Sequence, residues 1–384
     1  AGYGVLSNGT LNDGVATYLF NGEYQAVFGL SSGTAATVSV NVTDGQFTEQ
    51  EDQSLVIKAC AVARFNACEA TSPRCMPSTS SLTYARLNTK LADTAFKLDL
   101  VKLKTDASLE TTFAGAATVD LLVNTATGVT LGANNCPLTQ TAVIPLGLVA
   151  FTGGYSSANV SIPASALSAV APRYSAYRDV RVRGACTAAV CGTANVGCST
   201  DNFAVRPQQF TLSSNMSNSG LSGTPSLAAG AQFTLGATAV AGYNGTPLVD
   251  NSVAGQKITG FLGVTDYTDR LASTSNASPF PLGQAVLANG LTSNSGVTYG
   301  DVGTFRMLPE AVLDNAYTSV DQPGDCVIGS SSNTAVNGKF GCNIANQAQS
   351  PEPVFGRFFP DHYALTGALT AACGDFTYLG QREL

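Results

Sequence analysis

Wherever the chain is not turning, apolar residues alternate with polar ones in short segments. Phe96-Lys97-Leu98-Asp99-Leu100 sets three apolar side chains on one face and two charges on the other, as a half-buried strand requires. Residues 177–182 and 54–61 have the same character. Strands are also expected over 36–42, 116–123, 203–212, 232–240, 258–264, 297–307 and 376–379. Between them stand Asn8-Gly9, Asp13-Gly14, Asn21-Gly22, Asp44-Gly45, Asn244-Gly245, Asn289-Gly290 and Asn337-Gly338, dipeptides that favour hairpin turns. No apolar stripe of period 3.6 persists beyond a single turn, and only 309–313 and 164–170 are expected to form even that. Many short strands at turn-punctuated spacing predict an all-β fold of tandem, disulfide-stapled β-sandwich (Ig-like) modules.

A near-repeat divides the chain. Arg206-Pro207-Gln208-Gln209-Phe210-Thr211-Leu212 and Phe359-Pro360-Asp361-His362-Tyr363-Ala364-Leu365 both read Pro-x-x-aromatic-x-Leu. Proline cannot donate to a sheet ladder but is tolerated at the first residue of a strand, so each motif is expected to open a strand. The boundaries that follow are 1–50, strands of an N-terminal or upstream module; 51–202, a cysteine-rich sandwich; 203–357, a second sandwich; and 358–384, the start of a further module or a returning strand. Arg206 lies immediately before the first proline and Arg357 three residues before the second. With Phe203, Pro207 and Pro360 they form candidate module junctions, at which a guanidinium clamps carbonyls or a carboxylate of the neighbouring module.

Charge restricts the partners. Only 12% of residues are charged, against about 25% in typical soluble proteins. The net charge is −7 and the pI about 4.7, with the basic residues scattered, so neither nucleic acid nor anionic lipid is expected as a partner. The longest apolar run, 142–151, is about half a membrane span and contains Pro145, so membrane insertion of this chain is not expected. A chain opening on Ala1 without an initiator Met reads as a processed or excised form whose targeting signal would lie upstream.

The ten cysteines are Cys60, Cys68, Cys75, Cys136, Cys186, Cys191, Cys198, Cys326, Cys342 and Cys373. In an acidic, turn-rich chain they read as disulfides formed in an oxidising compartment. Ten cysteines allow about 945 pairings. The best single pair is Cys326–Cys342, which would close a Gly/Ser/Asn-rich loop. Seven cysteines precede Phe203 and three follow it, so either a bridge crosses the boundary or Cys373 pairs elsewhere. With no CxxC and one His, zinc is not expected.

Several strings are similar to one family. Ser54-Leu-Val-Ile-Lys-Ala-Cys60, Cys198-Ser-Thr-Asp-Asn-Phe-Ala-Val-Arg-Pro207, Asp301-Val-Gly303, Phe355-Gly-Arg-Phe-Phe-Pro-Asp-His-Tyr363 and Cys373-Gly-Asp-Phe-Thr-Tyr-Leu-Gly-Gln381 together resemble the large C-terminal region of MshQ-like proteins. These are associated with the mannose-sensitive haemagglutinin (MSHA) type IV pilus of Gram-negative bacteria. The resemblance covers about residues 50–384, and the string from Phe355 to Tyr363 is its most specific part. It implies an extracellular or cell-surface protein tied to pilus biogenesis or adhesion, and a chain that is a piece of something longer, with Cys373 pairing downstream. It carries over no catalytic residue.

Candidate sites each compete with a structural reading. Gly29-Leu30-Ser31-Ser32-Gly33 matches the nucleophile-elbow pattern, which needs a helix after the serine. Strand-like residues follow instead, so a hairpin turn is expected. His362 is the sole imidazole and the only candidate for a histidine general base, yet it sits inside the Pro motif. Glu49, Glu51 and Asp52 could supply a carboxylate pair, but a solvated linker accounts for them. No cofactor is expected, although calcium could bind scattered Asp and Asn oxygens without an EF-hand loop. Sugar faces stack on exposed aromatics, and with no Trp the candidates are Tyr3, Tyr18, Tyr24, Tyr155, Tyr174 and Tyr177. The reading is a non-enzymatic adhesive or pilus-associated surface protein whose partners are pilus components or host or surface glycans. The first alternative is a self-associating filament subunit joined through strand edges; a secreted hydrolase is the last.

Overall fold

The computed structural model describes residues 64–70, 86–104, 108–160, 176–192, 195–216, 221–252, 257–260, 271–364 and 366. To these it adds Gln46 and the backbones of the strands Gly4–Val5, Ala26–Val27, Ala36–Val40 and Gln53–Ile57. Almost all of this is β structure, arranged as two packed units.

In the first unit, Tyr155–Val160, Phe96–Leu103 and Arg64–Glu69 form an antiparallel three-stranded sheet. It packs on a six-stranded sheet ordered Lys90–Leu91, Phe203–Arg206, Tyr177–Cys186, Gly115–Asn124 and Ala142–Phe151, with Asn195–Cys198 also paired to Tyr177–Cys186. Alternate residues from both sheets meet in one core that includes Phe65, Leu98, Leu100, Val119, Leu121, Val182 and Phe203. Each such side chain contributes roughly 1.5–3 kcal/mol on burial. Phe65 lies edge-on to Phe113 and Phe151, at 6.3 and 5.6 Å between ring centroids, and its ring covers Gly184, where a Cβ would collide with it.

The second unit joins three four-stranded sheets. The first is Thr211–Ser214, Gln232–Thr238, Leu291–Tyr299 and Leu271–Ser273. The second is Leu227–Ala228, Val354–Phe359, Gly303–Met307 and Ile258–Thr259. The third is Phe280–Pro281, Leu248–Val249, Val312–Asp314 and Ile344–Ala345. Its core is aromatic: Phe305 stacks on Phe355 at 5.1 Å, and Tyr299 and Phe233 pack on Phe358 at 5.0 and 5.7 Å.

Several expectations change. Residues 203–212 are two strands, because Phe203–Arg206 ends at Pro207 and Thr211–Ser214 starts only after Phe210. The second motif behaves alike: Val354–Phe359 ends where Pro360 begins, and no strand follows among the described residues to 364. Proline therefore closes each strand instead of opening one, since it removes the next ladder donor. Phe203–Arg206 pairs inside the first unit's sheet, so the break falls after Arg206 and not at 203. Val354–Phe359 crosses the expected 357/358 boundary as a strand returning to the second unit. Residues 297–307 divide into Leu291–Tyr299 and Gly303–Met307, and 309–313 is a turn leading into the strand Val312–Asp314, not a helical turn. A four-residue helix, Ala188–Cys191, was not expected. Asp99, expected on a solvated face, is buried in the central strand of its sheet and accepts a hydrogen bond from Ser157 at 3.0 Å. The expected strand 376–379 and helical turn 164–170 lie outside the described residues.

Candidate functional site

Arg206 is the most buried cation of the described structure, with 0% exposure. It closes the strand Phe203–Arg206, and Pro207 turns the chain immediately after it. Its guanidinium leaves the first unit's sheet and donates to three carbonyls: Nε to Gly341 at 2.7 Å, Nη1 to Pro207 at 2.8 Å and Nη2 to Ser332 at 3.0 Å. Gly341 and Ser332 belong to the loop closed by the Cys326–Cys342 disulfide, so a cation of one unit is seated in a stapled loop of the other. Burial pushes its pKa down to about 10, which leaves it charged at neutral pH.

Beside it, carboxylates line the same junction, those of Asp321 and Asp325 reaching across it. Asp321, 1% exposed, accepts from the Ala204 amide at 3.0 and 3.1 Å and from the Thr89 hydroxyl. Asp201 accepts from the Leu87 amide at 2.8 Å, and Asp325 pairs with Arg86 at 3.3 Å. Burial pushes Asp321 up to about 8, in spite of the donors that favour its ionised form, with repulsion from Asp325 and Asp201 adding to the rise. Burial likewise raises Asp201 to about 6 and raises Asp325. Further out, Arg178 bonds Asn244 at 2.9 Å and lies 4.8 Å from the Tyr317 ring centre, while Asn244 donates to the Thr125 carbonyl at 2.9 Å. Perturbed carboxylates often mark catalytic centres. Here Asp321 offers no face to a substrate, and its partners account for it as part of a junction.

A concave surface exists elsewhere. A groove of about 490 Å³ runs on the second unit between the edge strand Thr211–Ser214 and the start of Val354–Phe359, within the roughly 300–1,000 Å³ of ligand clefts. Leu212, Ser214, Leu221, Pro351, Glu352 and Phe355 are among its walls. Glu352 is ion-paired with Arg306 at 3.5 Å, and Phe355 is only 3% exposed.

The sequence-selected residues are distributed unevenly around these features. Phe203 is buried edge-on to Phe96 at 5.8 Å, and with Arg206 and Pro207 it belongs to the junction. Arg357 does not: it is half-buried and donates to the Gly223 carbonyl within its own unit, and Pro360 lies at the same strand's end. Tyr177 is fully buried in the first core and cannot meet a glycan. Tyr155 is half-buried against Cys68, Val101 and Leu103. Tyr3, Tyr18, Tyr24, Tyr174, Ser31, Glu49, Glu51 and Asp52 lie outside the described residues. The His362 side chain is 80% exposed and 3.3 Å from Asp361, remote from the junction carboxylates in the contacts it makes. Cys326–Cys342 is bridged, as are Cys136–Cys198 and Cys186–Cys191, each within one unit. Cys68 is also disulfide-bonded, to a partner outside the described residues, where Cys60, Cys75 and Cys373 lie. Among the described residues no three His, Cys, Asp or Glu side chains are grouped to hold a metal, and no helix is long and apolar enough to cross a membrane.

Sequence reasoning missed Asp321, Asp325, Asp201 and Thr89. They are single polar residues outside the strands, Asp321 at the end of the short 3-10 helix Ser319–Asp321, and nothing in their spacing announces that they meet.

No curated protein matches the chain. Among solved structures it is similar to dimeric latent PorU from Porphyromonas gingivalis, with 10% identity over 78% of this chain and 24% of that one, at a TM-score of 0.22. It is also similar to trypsin-activated alpha-2-macroglobulin from Escherichia coli, with 12% identity over 88% and 21% of the two chains, at a TM-score of 0.24. The chain thus spans about a quarter or less of the solved structures it matches. The domain family described as DUF6701, third domain, matches residues 328–383, the stretch running from the stapled loop through the Val354–Phe359 strand and the second proline motif.

Proposed function

We propose that the chain is a non-enzymatic extracellular protein, pilus-associated or adhesive, that presents a polypeptide-binding groove on a rigid pair of β units. The observation that carries this reading is the groove beside Thr211–Ser214. An edge strand offers backbone donors and acceptors to an extended segment, and apolar walls take its alternate side chains. A sugar would want an exposed aromatic face, and Phe355, the aromatic among the groove's walls, is buried. The buried Arg206 clamp and the disulfides suit a display role by fixing the groove relative to the rest of the chain. The MshQ-like strings supply the pilus association.

The test is binding of the purified chain to immobilised MSHA pilus fractions, with a glycan array in parallel. Saturable pilus binding that is lost in Leu221→Arg while the fold persists supports the reading. Glycan binding indifferent to Leu221→Arg, or no pilus binding at all, overturns it.

A further inference from the structure

Three Asn-Gly pairs lie among the described residues: Asn244-Gly245, Asn289-Gly290 and Asn337-Gly338. In such a pair the glycine nitrogen can attack the asparagine side-chain carbonyl, because no Cβ at the glycine obstructs the approach. The attack needs a side-chain amide free to turn onto its own backbone and a glycine N–H not held in a hydrogen bond. The fold withholds these from the first two pairs. Asn244 is tied at both ends, its Nδ2 donating to the Thr125 carbonyl at 2.9 Å and its Oδ1 accepting from Arg178 Nε at 2.9 Å. Asn289 accepts from the Leu291 amide at 3.1 Å, and the Gly290 N–H donates to the Val286 carbonyl at 2.7 Å. Asn337-Gly338 differs in both respects. The pair is the exposed tip of a two-residue hairpin turn, closed behind it by the Val336 N–H to the Lys339 carbonyl at 2.9 Å and the Lys339 N–H to the Val336 carbonyl at 3.1 Å. Among the described residues neither the Asn337 side chain nor the Gly338 N–H has a hydrogen-bond partner.

We propose that Asn337 is a site of spontaneous deamidation and isoaspartate formation, and that this modification weakens the junction between the two units. The Gly338 nitrogen bonds to Asn337 Cγ, the Cγ–Nδ2 bond breaks, and the side-chain nitrogen leaves as ammonia, carrying the proton that Gly338 loses. Water then opens the cyclic imide at either of its carbonyls. One opening gives aspartate; the other gives isoaspartate, in which the backbone runs through the former side chain and gains one carbon. No electrons are exchanged with an outside partner in either step. The tip reaches across the junction, for the Gly338 carbonyl accepts from Asn88 Nδ2 of the first unit at 3.1 Å. A two-residue turn closed by two backbone bonds has no slack for another backbone carbon, so isoaspartate takes the Gly338 carbonyl away from Asn88. The groove on the second unit takes no part, and either reading stands if the other fails.

Peptide mapping by mass spectrometry of the full 384-residue chain, incubated warm at mildly alkaline pH, tests this. The peptide holding Asn337 should gain about 1 Da and become a substrate for protein isoaspartyl methyltransferase. It should convert at least about tenfold faster than the peptides holding Asn244 and Asn289, a ratio that ~1.4 kcal/mol of local opening at those two sites sets. In denaturing urea the three should convert at similar rates, because nothing then holds any of them. The aged chain should unfold at lower urea than Asn337→Asp, which carries the new charge without the extra backbone carbon. An Asn337 that does not convert, or converts no faster than Asn244 or Asn289 in the folded chain, would overturn the proposal. So would a preference for Asn337 that persists in urea, or an aged chain with the same urea midpoint as Asn337→Asp.

Discussion

Replacing Arg206 with Met keeps most of the side-chain volume and removes the guanidinium that links the two units. Three hydrogen bonds from a charged donor are worth roughly 1.5–3 kcal/mol each. Against them stands the burial that lowers the group's pKa to about 10 from 12.5, a cost on the order of 3 kcal/mol. The difference, about 1.5–6 kcal/mol, brackets the ~3–5 kcal/mol lost when one partner of a buried charge interaction is deleted. The loss should fall on the junction, because Gly341 and Ser332 are left with carbonyls facing an apolar chain. Urea unfolding followed by circular dichroism and tyrosine fluorescence reads both quantities. The parent should unfold in one transition, and Arg206→Met should split it, with the total stability lowered. Arg206→Lys, a point charge without the planar fork, should fall between the two. Arg357→Met is the internal control: the same residue type beside the second proline motif, half-buried and bonded to a single carbonyl, should cost at most about 1 kcal/mol. A single unshifted transition in Arg206→Met, or equal losses at Arg206 and Arg357, would refute the clamp.

The junction carboxylates make stability depend on pH. Asp321 and Asp201 titrate at about 8 and about 6 when folded, against 3.8 as the ordinary value, so the folded state holds protons that the unfolded chain releases. Their contribution is complete below about pH 4 and is lost as pH rises through about 6 and about 8, at no more than ~1.4 kcal/mol per pH unit for each proton. The urea midpoint should therefore fall between about pH 5 and pH 9, and Asp321→Asn should flatten the upper part of that fall. Cys326→Ser with Cys342→Ser opens a loop of 16 residues' separation and should cost about 3 kcal/mol. In a double-mutant cycle with Arg206→Met the losses should be non-additive by roughly 0.5–3 kcal/mol, because the loop carries the carbonyls that Arg206 binds; strict additivity would separate the staple from the clamp. Gly184→Ala drives a methyl into the Phe65 ring and should lower the melting stability by at least about 1–3 kcal/mol, with partial recovery in Phe65→Leu; an unchanged melt would show that the two sheets slide apart freely there.

The all-β class was legible because period-two alternation is a local property: a residue's face is set by its neighbours one and two positions away. Phe96–Leu103, Gly115–Asn124 and Tyr177–Cys186 could be placed for that reason. The pairing of Cys326 with Cys342 was legible for a similar one, since a short turn-rich loop brings its ends together. The proline motif misled because sequence shows that Pro interrupts a ladder without showing on which side the strand lies. Tyr177 misled because an aromatic at a strand start reads alike whether it faces solvent or core. The Arg206 site was half legible: the residue and its clamping role followed from the junction pattern, but its acceptors, more than a hundred residues away, did not.

The sequence by itself determined strand content, the turns between strands and the scarcity of charge, because each is decided by residue identity and near-neighbour spacing. Only the tertiary structure decided that Arg206 and Asp321 meet across two units, that Arg357 stays within one, and that Asn244 is tied at both ends while Asn337 stays exposed. Those outcomes depend on which strands become neighbours, and strand order is settled by packing of the whole core, which no local pattern encodes.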